Sequence, residues 1–230
     1  MSNERTIHWL NDIAEAKKAA SSSGKPVLMF FHYTHCNGCI NTFGKTLTKT
    51  SVIDAVTEAF VPVVIEITEK PRDAETHNIL WTPTFIVADE HGNEVSRWEG
   101  YLPEDDFLGQ LDISLGRHSL KKGNYLNAEI HFDEVIMKYP LTDLAPQAMY
   151  YHGVAKYRAT GDAFWLTNAY DNLVATYPDS QWRLKASVWS RERWPGRLLE
   201  YKEVLHEDIC FGRCRVYRQT CHFRTFGQRA

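Results

Sequence analysis

Residues 26–33 read PVLMFFHY, an unbroken apolar and aromatic run of strand length, and the chain turns directly from it into THCNGC. A run with no polar alternate positions predicts a strand buried on both faces, so both sides of its sheet must be covered. The cysteines that follow, Cys36 and Cys39, are separated by Asn37 and Gly38, with His32 and His35 just upstream. Two thiols at that spacing can form a reversible disulfide, hold a metal, or simply pack. The residues alone leave all three open.

The surrounding pattern gives this strand its partners. Trp9, Leu10, Ile13, Ala16 and Ala20 recur at helical spacing and predict an amphipathic helix over 8–20, ended by SSSGK. Residues 40–59 read as a helix, FVPVVIEI as a second buried strand, and 70–80 as a connection. PTFIVAD is a third strand, EHGN a turn, and EVSRWEG an alternating fourth strand at a sheet edge. PEDDFLGQLDISL opens with Pro103 and acids in its first turn, which suits a helix N-terminus. A helix between the first two strands favours a parallel pair, and the short turn between the last two makes them antiparallel.

A different pattern follows. GNYLNAEIHFDEVIMKYP begins at Gly123 and GDAFWLTNAYDNLVATYP at Gly161, so that Phe132 matches Tyr170, Val135 matches Leu173 and Tyr139-Pro140 matches Tyr177-Pro178. A fixed period of this size predicts stacked helix pairs. The expected organisation is an α/β domain over residues 1–115, an all-α helical-repeat domain over 116–191, and a basic, weakly ordered extension over 192–230. Charge changes with these blocks: residues 1–115 hold 9 Lys/Arg against 17 Asp/Glu, whereas 209–230 hold five arginines and no acid. Between the first two blocks stands only GRHSLKKG, too short and too poor in Gly, Ser and Pro for a flexible linker. Leu108, Leu111, Leu115 and Leu120 predict that helical character runs on, the alternative being a hinge at Gly116.

A formal net charge of −3 argues against a dedicated nucleic-acid binder. No apolar run approaches the roughly 18 residues of a membrane span, and the N-terminus has no apolar signal core. The expectation is a cytoplasmic protein without a membrane partner. There thiols are kept reduced, and a close cysteine pair is redox-active or metal-binding before it is a staple.

At a strand-to-helix junction the first N–H groups of the helix lack intrahelical partners and favour negative charge, which stabilises a thiolate. Cys36 then serves as nucleophile and Cys39, about one turn on, as resolving thiol. In this context CNGC after a buried strand, WTPTF downstream and GNEVSRWEGY resemble the thioredoxin-like family over residues 7–115. The repeats over 116–190 resemble tetratricopeptide repeats. The resemblance implies a thioredoxin fold, a central mixed sheet flanked by helices. It implies a cis-proline at Pro83 facing the cysteines, and a backbone at Thr82 that an extended substrate joins like an added strand. Trp81 is placed on the rim of that site, or else in the core. His35 either raises the thiolate fraction as an imidazolium or simply faces solvent.

The family's usual tryptophan before the first cysteine is His35 here, its Gly-Pro between the cysteines is Asn37-Gly38, and its buried acid six residues upstream is Phe30. The leading expectation is a thiol–disulfide oxidoreductase acting on protein disulfides, with no cofactor and with the repeats recruiting a client; the residues leave open whether a reductase, an oxidant or nothing recycles the pair. The competing one is a redox-inactive co-chaperone or adaptor. Zinc on His32, His35, Cys36 and Cys39, or on His206, Cys210, Cys214, Cys221 and His222 of the tail, is the lesser alternative.

Overall fold

The computed structural model describes residues 6–191. The predicted tail site on His206, Cys210, Cys214, Cys221 and His222, and the extension over 192–230, lie outside the described residues.

Strands β1 (Val27–His32), β2 (Val61–Glu66), β3 (Thr84–Ala88) and β4 (Glu94–Glu99) form one sheet in the order β2-β1-β3-β4. β1 runs parallel to β2 and antiparallel to β3, and β3 runs antiparallel to β4, with β4 at the edge. The apolar run became the central strand because it is covered twice. Leu28 and Phe30 pack with Val52, Val56, Phe107 and Leu111 on one face, and Val27, Met29 and Phe31 pack with Ala16 and Ala20 on the other. Phe30 stacks on Phe85 at 4.3 Å, and Phe85 on Trp98 at 5.0 Å. β2 differs from expectation: its residues alternate between buried and half-buried, because β2 lies toward one side of the sheet.

The helices correct several sequence boundaries. α1 spans Ile13–Ser23, not 8–20: the Asp12 carboxylate accepts from the Glu15 amide at 2.8 Å and starts the helix there, and Gly24 in the left-handed region ends it. Leu10 instead forms a parallel bridge to Val63. The single helix predicted over 40–59 is three pieces: α2 (Asn37–Asn41), a π-helical turn (Thr42–Thr46), and α3 (Thr50–Ala59). The 70–80 connection contains α4 (Pro71–Thr76), with proline at its first position, where the missing N–H costs nothing.

α5 runs without a break from Glu104 to Lys121, so the boundary drawn at 115/116 falls inside one helix. It packs against α3 and β4 and also against α6 (Tyr125–Lys138) and α7 (Leu144–Thr160). Gly116 is not a hinge there. A Cβ at that position would lie 2.5 Å from Cε1 of Phe132, so the glycine lets α6 cross closely. α8 (Phe164–Thr176) and the short α9 (Gln181–Ala186), capped by Ser180, complete an all-helical region. The period is visible in the backbone: Gly123 and Gly161 both take the left-handed conformation after α5 and α7. Among the described residues no helix is long and apolar enough to cross a membrane.

Candidate functional site

β1 ends at His32, and its hydrogen-bonded neighbour β3 begins at Thr84 beside Phe31, so the CNGC turn and the Thr82-Pro83 segment meet at one end of the sheet. Cys36 is the N-cap of α2, in extended conformation, and its sulfur accepts from the Cys39 amide at 3.3 Å. As a thiol it donates to the Thr82 carbonyl at 3.2 Å. The Thr82–Pro83 bond is cis. Gly38 sits against the proline ring: a Cβ there would lie 2.8 Å from Pro83 Cδ and 3.6 Å from Cys36 Sγ.

The two thiols differ in environment. Cys36 is half-buried and Cys39 is 1 % exposed. Burial penalises the Cys36 thiolate. Hydrogen bonds from the Thr82 and Cys39 side chains and from the Cys39 and Gly38 backbone outweigh that penalty and hold Cys36 below its ordinary range. The Thr82 carbonyl favours the protonated thiol, but it is one acceptor against several donors. Burial, reinforced by the Cys36 side chain, pushes Cys39 up to about 11, against a pull from the Tyr33 backbone. Both thiols are free.

The first amides of α2 favour the thiolate as expected, since the Cys39 and Gly38 N–H groups act on Cys36, and the Thr82 and Cys39 side chains add to them. α2 has only five residues before the π-helical turn, so directed donors at close range replace a long helix's dipole. His35 is exposed with its ring 5.5 Å from that of Tyr33, and the interactions that lower Cys36 come from Thr82, Cys39 and Gly38. His32 lies 3.3 Å from the Glu66 carboxylate, which also accepts from the Thr34 and Thr68 hydroxyls. Among the described residues no group of three or more His, Cys, Asp or Glu side chains is placed to hold a metal.

Around Cys36 lies a cleft of about 500 Å³. Trp81 lines it and is 68 % exposed, which removes the core reading of this residue. Leu80, which the sequence reading missed, is 87 % exposed beside it, and Tyr33, Ile67, Ile79 and Tyr101 complete the wall. The signal for Ile79 and Leu80 was the stretch NILWTP: three large apolar side chains between a helix and a strand, with no regular element to bury them.

A thioredoxin-like domain family matches residues 13–113. The solved structures similar to this chain include a thioredoxin from Thermus thermophilus at 24 % identity, covering 52 % of this chain and 95 % of that one with a TM-score of 0.46. Another is the DsbH oxidoreductase at 15 % identity, covering 48 % and 85 % with a TM-score of 0.43. A third is the oxidised C-terminal domain of DsbD from Neisseria meningitidis at 23 % identity, covering 44 % and 93 % with a TM-score of 0.38. No curated protein matches the chain. The family match stops at residue 113, and no comparison identifies the helices that follow as tetratricopeptide repeats. Residues 13–113 are a thioredoxin-like domain, and Cys36 and Cys39 form a near cysteine pair at one end of its sheet.

Proposed function

We propose that the protein is a thiol–disulfide oxidoreductase acting on protein disulfides. The observation that carries this reading is the division of labour between the thiols: Cys36 at an open cleft with its thiolate favoured, and Cys39 one turn on, buried and held protonated. In the reducing direction the Cys36 thiolate attacks one sulfur of a client disulfide. A Cys36–client disulfide forms, and the other client sulfur leaves as a thiolate. Cys39 then loses its proton and attacks Cys36 Sγ, closing the Cys36–Cys39 disulfide and releasing the second client thiolate. Two electrons pass from the pair to the client, and an external dithiol reductant restores the pair. Oxidation of a client dithiol is the same sequence reversed.

In this reading Thr82 offers its backbone to an extended client, Pro83 closes the floor beside Cys36, and Trp81 and His35 form the rim. The helices after residue 121 act as a repeat-like module that recruits the client, in a reducing compartment such as the cytoplasm. Their rigid continuity through α5 supports a set geometry between the recruited client and Cys36.

The test is turnover of a protein disulfide with dithiothreitol as reductant. Cys36→Ser should bring the rate to the uncatalysed level. Cys39→Ser should accumulate mixed disulfides through Cys36, seen by mass spectrometry. Phe30, fully buried where an acid would assist Cys39, favours the competing adaptor reading. Native protein that binds clients yet neither turns over nor traps a disulfide would establish that alternative.

A further inference from the structure

A second cleft, of about 410 Å³, adjoins the first. The two share Ile67, Ile79 and the exposed Leu80, and the second continues to Pro71, Ala74, Glu75 and Asn78. We propose that a client segment crosses from the Cys36 cleft over Leu80 into this second cleft. The segment would be an extended chain, apolar beside its cysteine and carrying a basic residue farther along. This rests on the redox reading above and names the substrate class of the same site.

Three observations carry it. The first is charge. Not one residue lining the Cys36 cleft is Asp, Glu, Lys or Arg, and Glu75 is the single charged residue lining the second. A small anionic thiol such as glutathione, with two carboxylates, finds no cation among the lining residues. An uncharged segment meets apolar walls, and a cation past Leu80 meets Glu75. The second is exposure. One exposed leucine is ordinary on a protein surface. Leu80 and Trp81, at 87 % and 68 % exposure, are adjacent and both line the Cys36 cleft, and Leu80 also lines the second, so a chain laid across them removes one contiguous apolar surface from water. The third is rigidity. The Arg97 guanidinium donates to the His77 carbonyl at 2.8 Å and the Asn78 carbonyl at 3.3 Å, and Ile79 N donates to the Ala74 carbonyl at 2.9 Å. The loop that presents Leu80 is pinned from behind, so little ordering is required when a client docks.

The experiment uses the full reduced chain and peptides whose cysteine is capped as a mixed disulfide with nitrothiobenzoate, the coloured thiol being read on release. An apolar peptide with lysine several residues from the cysteine, on either side, is compared with its glutamate counterpart and with the glutathione mixed disulfide. The lysine peptide should be preferred over the glutamate peptide by about two- to fivefold, the range of an exposed ion pair. Glu75→Lys should reverse that order. Leu80→Ala, at an exposed position that folding does not depend on, should raise KM for the apolar peptides about tenfold. Equal turnover of the glutathione disulfide, an unchanged KM in Leu80→Ala, or an unaltered charge preference in Glu75→Lys would each overturn the proposal. Dye-labelled peptides with serine in place of cysteine, followed by anisotropy, test the clefts without any chemistry. Binding there that is weakened by Leu80→Ala, in a protein that releases no thiol, would retain the docking path and reject the redox reading; equal binding by native and Leu80→Ala protein would reject the path.

Discussion

Where β1 runs out, the sheet meets solvent with two thiols, a glycine against a proline ring, and exposed Leu80 and Trp81. At the opposite end, where β3 turns into β4, the materials are polar and paired. The Asp89 carboxylate is nearly buried, accepts from the His91 and Asn93 amides at 3.0 and 2.8 Å, and bonds Lys121 of α5 at 2.8 Å. Glu90 pairs with Lys122 beside it at 3.1 Å. Burial by itself would raise Asp89, but Lys121, Asn93 and the two amides hold it well below the usual carboxylate range. One end fastens the sheet to the helix that leads into the helical region. The other leaves apolar surface and the Cys36 thiol, whose pKa is lowered, open. The difference shows where the molecule stores stability and where it has left groups free to react.

The comparison can be sharpened by measurement at each end. The largest effect is expected in thiol reactivity. Iodoacetamide should modify Cys36 at a pH well below the ordinary thiol midpoint of about 8.5. Cys39, held near 11, should carry about three-hundredfold less thiolate than an ordinary thiol at neutral pH and should lag accordingly. Site-resolved mass spectrometry against pH checks this, and equal, slow labelling of both would erase the asymmetry.

At the far end, Asp89→Asn should cost about 2 kcal/mol by leaving Lys121 without its carboxylate. For a chain of this size that corresponds to a melting temperature lower by roughly 4–8 °C. Because folding depresses the Asp89 pKa, its contribution is present above the unfolded value of about 3.9 and is lost as pH falls through the folded one. The variant's deficit should therefore shrink in acid. The Cys36 alkylation profile should stay where it was, and a shift there would show that the two ends are coupled.

The smallest effect is expected at Gly38. Alanine would gain up to about 1 kcal/mol of helix propensity but meet Pro83 Cδ at 2.8 Å, a crowding that costs about 1–3 kcal/mol. A net loss near 1 kcal/mol should be read in denaturant, and combining it with Pro83→Ala should give less than the sum of the two losses. Gly44→Ala, where an added Cβ meets nothing within 4 Å, is the control. Additive losses at Gly38 and Pro83 would mean that their contact does not shape the site.

Much of this architecture was legible in local pattern. The PVLMFFHY run, the CNGC that follows and the alternating EVSRWEG together imply a central strand, a thiol turn and an edge strand, because burial on two faces and on one face leave different periodicities. The 38-residue offset between Gly123 and Gly161 was readable because the same helix-ending geometry requires the same residue twice. Less legible was the break of 40–59 into α2, a π-helical turn and α3, since these residues carry helix-compatible side chains throughout and the break is in hydrogen-bond register. The role of Gly116 was hidden for a related reason. In sequence a glycine reads as a break, and only the approach of Phe132 reveals it as a contact.

The amino-acid sequence by itself determined the four strands, which thiols are close in the chain, and that a buried strand delivers them. Those properties depend on side chains a few residues apart. The tertiary structure alone decided that Thr82, Pro83 and Gly38 converge on Cys36, that Leu80 and Trp81 stay in solvent beside it, and that Asp89 reaches Lys121. The Cys36–Thr82, Gly38–Pro83 and Asp89–Lys121 contacts join residues 46, 45 and 32 positions apart, and the exposure of Leu80 and Trp81 depends on what fails to cover a surface. No local pattern encodes them, because distance in space is set by how the sheet and helices pack.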